Sequence, residues 1–344
     1  MKLNLKNNKL LKYAFVLCAL TILALLIDVN QFIRLMSNIS ASFFVAALLV
    51  VIFDQVFMGA KWNLLLRLYN VHVPFWVPVI AYLRGRVFII VTPSILGIDA
   101  YKLYCIRKYY KQSAPIVSSI VVERSFGMLS SIAIVLLLLP FSIHGFDFAY
   151  KEYIGLISIT GFIMLCLILH LIQTYAGMAL YIRFPRFFPK KAHYLLENLV
   201  VNIAKLKHGR TIVWTYFFLS IGEKTFYGLS VYLSARALGL SEPGALLIIT
   251  VAPIVALLER LPITVSAIGI REGLFVILFS PFYDDPTIPL AISLVLRAAE
   301  VVQVLISLLT WFIGSNTQVV EAELNAVETE YKKINKNGAL TKER

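Results

Sequence analysis

Four pairs of adjacent acidic and basic residues lie inside or at the edge of apolar stretches of this sequence. An ionised side chain at the centre of a bilayer costs about 2.5–3.5 kcal/mol. Adjacent residues on a helix do not face each other, so we expect most of these charges to find partners on other helices or in a watery cavity. The adjacent pairs are Glu123–Arg124, Glu223–Lys224, Glu259–Arg260 and Arg271–Glu272, and Arg297 with Glu300 forms a fifth pair at i, i+3 spacing.

Two interpretations of these charges are open. They can form a structural network that joins the helices, or lie at the membrane surface on long aliphatic stems. Glu259–Arg260 is the pair that best fits this structural interpretation. Alternatively, the charges line a polar interior cavity. Five pairs within one apolar chain favour the cavity.

Two apolar stretches contain residues that interrupt helices. Arg84–Tyr104 reads "RGRVFIIVTPSILGIDAYKLY" and Leu261–Phe275 reads "LPITVSAIGIREGLF". Each has a proline, small hydroxyl residues, a glycine and then a charge. Non-helical backbone at membrane depth is tolerated only where protein or a water-filled cavity satisfies its polar groups. Both stretches therefore predict a broken membrane element beside a polar site.

The two interrupted stretches also share a spacing. Asp99 precedes Arg124 by 25 residues, and Glu272 precedes Arg297 by 25 residues. This recurrence indicates a weak internal repeat. Interrupted segments at corresponding positions of two halves are the best sequence indication of a transporter binding site near the bilayer midplane, and half-helix N-termini offer N–H groups to an anionic head group.

The elements that carry these residues are membrane helices. Hydrophobic residues make up 59% of the chain and charged residues 15%, whereas soluble domains hold about 25% charged residues. Tyr153–Ile172 runs for 20 residues without Asp, Glu, Lys or Arg, and about 20 apolar residues cross a bilayer. We therefore predict an all-α fold, a polytopic integral membrane helix bundle.

The bundle is predicted to contain about seven spanning helices and two broken or re-entrant elements. We expect a membrane domain at 1–314, with halves at about 12–173 and 211–314 around a cytoplasmic linker at 174–210, and a polar tail at 315–344. The broken elements are Phe75–Ile98, expected to be re-entrant, and Leu261–Pro281. The predicted spans are Lys12–Val29, Ser42–Leu66, Ile116–Phe141, Glu152–Gln173, Thr211–Ala237, Gly244–Leu258 and Pro289–Gly314.

The net charge of +13 comes from basic clusters between the apolar blocks. Such clusters follow the positive-inside rule, which predicts a multi-pass protein of the cytoplasmic membrane with a cytoplasmic N-terminus. The basic residues counted as cytoplasmic include the Lys61–Arg86 region and a loop with Lys102, Arg107, Lys108 and Lys111. No basic, aromatic-interleaved soluble module is present, so we expect no nucleic-acid partner.

Other chemistries have little support in the sequence. Cys18, Cys105 and Cys166 lack zinc-site spacing, and the five histidines show no metal-ligand pattern. No G-x-x-x-x-G-K-[ST] run is present, so direct use of ATP is not expected. We expect no metal site, no cofactor and no catalytic residue.

Three segments occur in an order that resembles a known family. They are "PSILGIDAYKLY", "VVERSFGML" and "LPITVSAIGIREGLF", and they are similar to motifs of the flippase-like membrane family that includes the transmembrane region of lysylphosphatidylglycerol synthetase. Ile98 and Ser266–Ala267 depart from the glycines of the family patterns. The matching positions are Pro93, Ser94, Gly97, Asp99, Glu123, Arg124, Gly127, Pro262, Gly269, Arg271, Glu272 and Gly273.

The resemblance implies movement of a lipid, or of a lipid-linked head group, between leaflets. In the lysyl-transferring members of that family, aminoacylation resides in a separate soluble domain, and this sequence has no stretch long enough to form one. We therefore expect transport rather than aminoacyl transfer. The expected partners are membrane lipids with charged head groups and a lipid-modifying enzyme encoded separately.

The candidate binding residues combine both lines of reasoning. Arg84 and Arg86 are expected to attract a phosphate at the cytoplasmic mouth, and the carboxylates to pair with any cationic group. The structural motif residues are Pro93, Gly97, Gly127, Pro262, Gly269 and Gly273. The candidate head-group-binding residues are Arg84, Arg86, Ser94, Asp99, Glu123, Arg124, Arg271, Glu272, Arg297 and Glu300.

Two alternatives to a lipid translocator are open. The first is a membrane-embedded transferase that acts on a phospholipid or polyprenyl-linked substrate, with Asp284 and Asp285 holding Mg²⁺ against a phosphate. The second is a non-catalytic partner of a separately encoded lipid-modifying enzyme, in which the buried charges are structural.

Overall fold

The described part of the chain is a bundle of α-helices. A computed structural model describes residues 29–88, 96–142, 151–183, 206, 209–259, 269–283 and 285–313, and it contains no strand within these ranges. A short 3₁₀ turn, Ser280–Phe282, joins the last two helices. The helices are α1 (Val29–Ser37), α2 (Ala41–Leu68), α3 (Trp76–Gly85), α4 (Leu96–Arg107), α5 (Ser113–Ser142), α6 (Lys151–Arg183), α7 (Arg210–Ala237), α8 (Ala245–Leu258), α9 (Ile270–Phe279) and α10 (Thr287–Ile313).

Six of the predicted spans correspond to helices α2, α5, α6, α7, α8 and α10. The helices α2 and α5, and residues Thr287–Leu309 of α10, are long and apolar enough to cross a membrane, and α8 and Tyr153–Leu167 are shorter apolar helices. Helix α7 is as long as α2, with 28 residues, but buried polar residues such as Ser220 and Glu223 lower its hydropathy. The predicted span Lys12–Val29 lies almost entirely outside the described residues.

The outer face of the bundle is apolar, as a lipid environment requires. Leu156 and Ile163 on α6 and Ile277 on α9 have 66%, 61% and 69% of their surface exposed. The interior contains many polar and charged side chains that are buried, among them Lys61, Lys102 and Glu123. This arrangement, with apolar groups outside and charges inside, confirms an all-α membrane helix bundle.

Both stretches predicted to be broken are interrupted in the structure. Helix α3 ends at Gly85, and α4 begins at Leu96 and packs against α3. Helix α9 begins only at Ile270, after α8 has ended at Leu258. Pro93, Ser94 and Pro262, which were predicted to shape these interruptions, lie outside the described residues.

Helix α6 is longer than its apolar pattern. The predicted span ends at Gln173, but the helix continues to Arg183. Residues 174–183 contain no proline and only one glycine, whereas Pro185 follows closely. A proline disfavours helical geometry in the residue before it, so the sequence predicts a helix that can continue beyond the apolar pattern as far as the residues before Pro185.

The order of helix lengths supports the predicted internal repeat. Helices α2 to α5 contain 28, 10, 12 and 30 residues, and α7 to α10 contain 28, 14, 10 and 27. In the described residues, each half therefore contains a long helix, two short helices and another long helix. The packing is equivalent as well, because α2 packs on α3 and α10 while α7 packs on α8 and α5.

Two glycines hold equivalent places in the two halves. A Cβ atom on Gly59 of α2 would lie 2.5 Å from Val79 Cα of α3, and a Cβ atom on Gly228 of α7 would lie 2.6 Å from Ile249 Cα of α8. Each glycine is the nineteenth residue of its helix. Both long helices therefore approach the following short helix at backbone contact distance, which only glycine permits.

The two central helices, α2 and α7, are antiparallel. The Ser40 N–H, just before α2, donates to the carbonyl oxygen of Ala237 at the end of α7, at 2.8 Å. At the other end, Leu68 of α2 lies against Gly209, just before α7. Since α2 and α7 hold equivalent places in the two halves, the halves have inverted orientations.

Candidate functional site

A cavity of about 170 Å³, lined by charged and apolar side chains, lies among the helices of both halves. Helices α2 to α5, α7, α9 and α10 contribute lining residues, as does the end of α8. About 30 Å³ is the share of one water molecule in the liquid, so the cavity can hold several waters or a small head group. Its charged lining residues are Asp54, Arg86, Asp99, Lys102, Glu123, Arg124, Glu223, Lys224, Glu259, Arg271 and Glu300.

The first charged group joins the two central helices. Lys61 of α2 forms a salt bridge with Glu223 of α7 and donates to Ser220 Oγ at 3.0 Å. The other oxygen of Glu223 lies 2.7 Å from Lys224 Nζ. All three charged side chains are buried. One carboxylate therefore holds two ammonium groups and links the halves at their centre.

The second charged group is built around Lys102 of α4. Its Nζ lies 2.5 Å from Glu123 Oε2 and donates to the Tyr82 hydroxyl at 2.9 Å. The Tyr82 hydroxyl in turn donates to Glu123. The same ammonium group lies 4.2 Å from the ring centroids of Trp62 and Tyr82, within the range of a cation–π interaction. Lys102 is thus held in a box of one carboxylate and two aromatic rings.

Among the described residues, Asp99 and Arg124 form the most accessible ion pair of the site. Asp99 lies in the first turn of α4, and its carboxylate contacts the guanidinium of Arg124 on α5. Their side chains are 18% and 34% exposed, whereas those of Lys102 and Glu123 are 2% and 7% exposed. Of these two pairs, Asp99–Arg124 is therefore the one that a head group can reach and compete with.

The third charged group has Arg271 of α9 at its centre. Arg271 Nε lies 2.6 Å from Glu259 Oε2 and Arg271 Nη1 lies 2.6 Å from Glu300 Oε2. The second oxygen of Glu300 lies 3.4 Å from Arg86 Nη2, and Arg86 also donates to Gln303 Oε1 at 3.2 Å. This chain of alternating charges connects the end of α3, in the first half, with α9 and α10, in the second.

Glu272 has two structural roles at the start of α9. Arg297 of α10 donates from Nε to Glu272 Oε1 at 2.7 Å, and Glu272 Oε2 accepts the Gly269 N–H at 2.7 Å. Gly269 has a φ of 82°, a conformation that glycine adopts without strain. The carboxylate therefore caps the helix and also ties it to α10.

The structure brings most of the candidate binding residues to one place. Of the residues proposed to bind a head group, the following line the cavity: Arg86, Asp99, Glu123, Arg124, Arg271 and Glu300. Arg84, Glu272 and Arg297 are not lining residues, and Ser94 lies outside the described residues. Among the motif glycines, Gly127 lines the cavity and Gly97 is buried.

The expectation that adjacent charges cannot neutralise each other is wrong for Glu223 and Lys224. These neighbours contact each other at 2.7 Å, because long side chains can bend toward one another even when their Cβ atoms diverge. The i, i+3 residues find other partners: Arg297 binds Glu272, and Glu300 binds Arg271 and Arg86. Glu259 also has an interior partner, Arg271, while Arg260 lies outside the described residues.

Sequence reasoning missed several residues of the site. Lys61 and Lys102 were counted among cytoplasmic basic residues, but they are 3% and 1% exposed and bind interior carboxylates. Asp54 and Gln55, two polar residues within the apolar run of α2, also line the cavity. A lone charge inside an otherwise apolar stretch was the available signal for Asp54 and Lys61.

The fold and the site define a polytopic membrane protein with a charged interior cavity. The chain belongs to the family described as "Lysylphosphatidylglycerol synthase TM region", which matches residues 9–307. It is also 25% identical over 318 residues to a UPF0104 membrane protein of Methanocaldococcus jannaschii, an alignment that covers 86% of this chain and 91% of the relative.

Proposed function

We propose that this protein moves a lipid, or a lipid-linked head group, between the leaflets of the cytoplasmic membrane. The observation that carries the proposal is the cavity of about 170 Å³ inside a membrane bundle, lined by charged side chains from both halves of the chain. Ionisable residues within membrane segments are rare and typically mark substrate or ion pathways. The cavity has room for a small head group, so acyl chains stay in the surrounding lipid.

The symmetry of the bundle supports transport. Inverted repeats with interrupted helices occur in many secondary transporters, which place the binding site at the repeat interface and alternate its access from one side to the other. Here the interface is formed by α2 and α7, and the cavity takes Asp54 and Gln55 from the one and Glu223 and Lys224 from the other.

The ion pairs suggest how a head group enters. A phosphate competes for Arg124 against Asp99, and for Arg86 against Glu300, because arginine binds carboxylate and phosphate with the same planar donor geometry. A cationic group instead takes the carboxylate of Asp99. The partly exposed Asp99–Arg124 pair is the entry point, and the buried charges beyond it provide exchange partners along the path.

The transferase alternative has less support. Asp285 Oδ1 accepts the Thr287 N–H at 2.7 Å, so this carboxylate caps the start of α10, which is the structural role of an acidic residue before a helix. Asp284 lies outside the described residues. The role of non-catalytic partner requires only a stable bundle, and it does not account for a cavity with eleven charged lining residues.

A vesicle assay tests the proposal. The purified full chain is reconstituted into phosphatidylcholine vesicles that carry fluorescent phosphatidylglycerol, phosphatidylethanolamine, aminoacylated phosphatidylglycerol or a polyprenyl phosphate. Bleaching of the outer-leaflet label with a membrane-impermeant reductant measures exchange. We expect faster exchange for at least one charged class than in protein-free vesicles. Unchanged exchange for every class rules out translocation.

A further inference from the structure

Asp54 is an acidic residue of the cavity that takes part in none of the ion pairs described above. It lies on α2, two turns before Lys61, and lines the cavity. Its Oδ2 accepts a hydrogen bond from the Gln55 side chain at 3.3 Å. Its Oδ1 is buried and has no hydrogen-bond partner among the described residues. The other five acidic lining residues each form a salt bridge.

The charged surroundings of Asp54 come from several helices. Glu223 and Lys224 on α7, Lys61 on its own helix and Arg86 after α3 all act on it electrostatically. From the remaining elements, the cavity presents Asp99 and Lys102 on α4, Glu123 and Arg124 on α5, Glu259 after α8, Arg271 on α9 and Glu300 on α10. The hydroxyl of Tyr227, one turn after Glu223, also lines the cavity and is buried without a partner among the described residues.

Counted together with Lys61, which binds Glu223 but does not line the cavity, the charges of the site balance when Asp54 is ionised. Six acidic and five basic side chains line the cavity, and Lys61, bound to Glu223, is the sixth base. Protonation of Asp54 removes one negative charge and leaves the site with one positive charge in excess. A single phosphodiester group restores neutrality, and a net charge in an apolar surrounding is costly.

We propose that Asp54 is the proton-coupling residue of the cavity, and that it takes up one proton when one anionic head group enters. This inference rests on the proposed function and identifies its substrate class as a lipid with one net negative charge. The carboxylate Oδ1 accepts the proton on the side where the lipid binds and gives it to water on the side where the lipid leaves. Proton and lipid then cross together with no net charge.

A proton fits this position better than a metal cation. The charged groups that act on Asp54 are the anion Glu223, which binds Lys61 and Lys224, and the three cations Lys61, Lys224 and Arg86. The three cations repel a sodium or magnesium ion that would have to gather several oxygen ligands. A proton needs only the one free oxygen of Asp54, and the protonated carboxyl no longer attracts the neighbouring ammonium groups.

The test uses the full chain in vesicles with fluorescent phosphatidylglycerol and a trapped pH-sensitive dye. We expect an inward proton gradient of one pH unit to concentrate the label in the inner leaflet about tenfold, since one pH unit equals a tenfold ratio for one proton per lipid. Lipid movement should acidify the lumen. Asp54→Asn should abolish both effects, while Asp54→Glu should retain them in part. Glu242→Gln, the same chemical change in the exposed loop before α8, should behave like wild type.

Each result has a distinct meaning. Exchange that is present but insensitive to the proton gradient, or equal in wild type and Asp54→Asn, overturns the coupling role and leaves translocation intact. A sodium gradient that drives accumulation without a proton gradient also overturns it. If no lipid class moves, the proposed function falls and the coupling role with it. As an independent readout, infrared spectroscopy of folded protein should show a carboxyl band that grows on phosphatidylglycerol binding and is missing in Asp54→Asn, and a band unchanged by the lipid overturns the proposal.

Discussion

Arg297 binds Glu272 at 2.7 Å across a gap of 25 residues, the same separation that joins Arg124 to Asp99. In both halves the acidic residue lies in the first turn of a short helix and the arginine lies on the long helix that follows. The equivalent pairs therefore hold each short helix against its long neighbour. In the second half the carboxylate also caps the helix.

Removal of the Glu272 carboxylate should destabilise the protein strongly. Glu272→Ala leaves Arg297 without this partner and the Gly269 N–H without its acceptor, and breaking a buried ion pair costs about 3–5 kcal/mol. Glu272→Gln keeps an acceptor for Gly269 and should lose less. Thermal unfolding in detergent measures both. The loss of stability in each variant should add to that of a distant change such as Gly222→Ala. In an Arg297→Gln background, by contrast, Glu272→Ala should destabilise the protein less than it does in wild type. Equal effects in both backgrounds would contradict the pairing.

The close contacts of the two glycines predict intolerance to a single methyl group. Gly59→Ala and Gly228→Ala place a Cβ 2.5 and 2.6 Å from backbone atoms of the neighbouring helix, a distance that the helices can relieve only by moving apart. Overpacking of this kind costs about 1–3 kcal/mol. Gly222→Ala is the matched control on the same helix, because a Cβ there meets nothing within 4 Å, and it should be neutral or stabilising. Unfolding temperatures that are equal for Gly222→Ala and Gly228→Ala would refute the contact.

Replacing both Lys102 and Glu123 should reduce lipid exchange more than it reduces the stability of the protein. Lys102→Met leaves Glu123 buried with one partner fewer and should destabilise the protein by about 3–5 kcal/mol. The double variant Lys102→Met, Glu123→Met removes both charges and should recover most of that loss, since buried ion pairs can often be replaced by apolar residues. Lipid exchange should stay low in the double variant, because two cavity charges are gone. A double variant as unstable as the single one would indicate that the pair itself holds the fold.

Arg124 should matter for transport more than for folding. Its side chain is 34% exposed, and partly solvated ion pairs contribute about 0–1 kcal/mol. Arg124→Gln should therefore unfold within a few degrees of wild type and yet slow the exchange of anionic lipids. Arg67→Gln, at the exposed end of α2, is the control for loss of one positive charge. A similar loss of exchange in both variants would assign the effect to general membrane electrostatics.

The sequence predicts the helices well because their signal is local. Apolar runs of sufficient length reveal α2, α5 and α10, and prolines with glycines mark the interruptions before α4 and α9. The recurring separation of 25 residues indicated the Asp99–Arg124 and Glu272–Arg297 relations. That signal survives in the sequence because each pair joins consecutive helices of one half.

The centre of the site depends on contacts that no local pattern encodes. Lys61 and Glu223 are separated by 162 residues, and they meet only because α2 and α7 pack antiparallel. Lys102 resembles a loop lysine in a basic segment, but the fold places it against Trp62 and Tyr82. The charge of a residue is visible in the sequence, whereas its side of the bundle is decided by how the two halves assemble.

The backbone contacts of Gly59 with Val79 and of Gly228 with Ile249 limit which parts of the molecule can move. Two helices in such contact cannot slide or tilt separately without a collision, so α2 carries α3 and α7 carries α8. The chamber can then open only if the α2–α3 pair and the α7–α8 pair rotate against each other as two rigid bodies. The pivot of this rotation is the contact between Lys61 and Glu223. The strength of that salt bridge sets how readily the two rigid bodies separate.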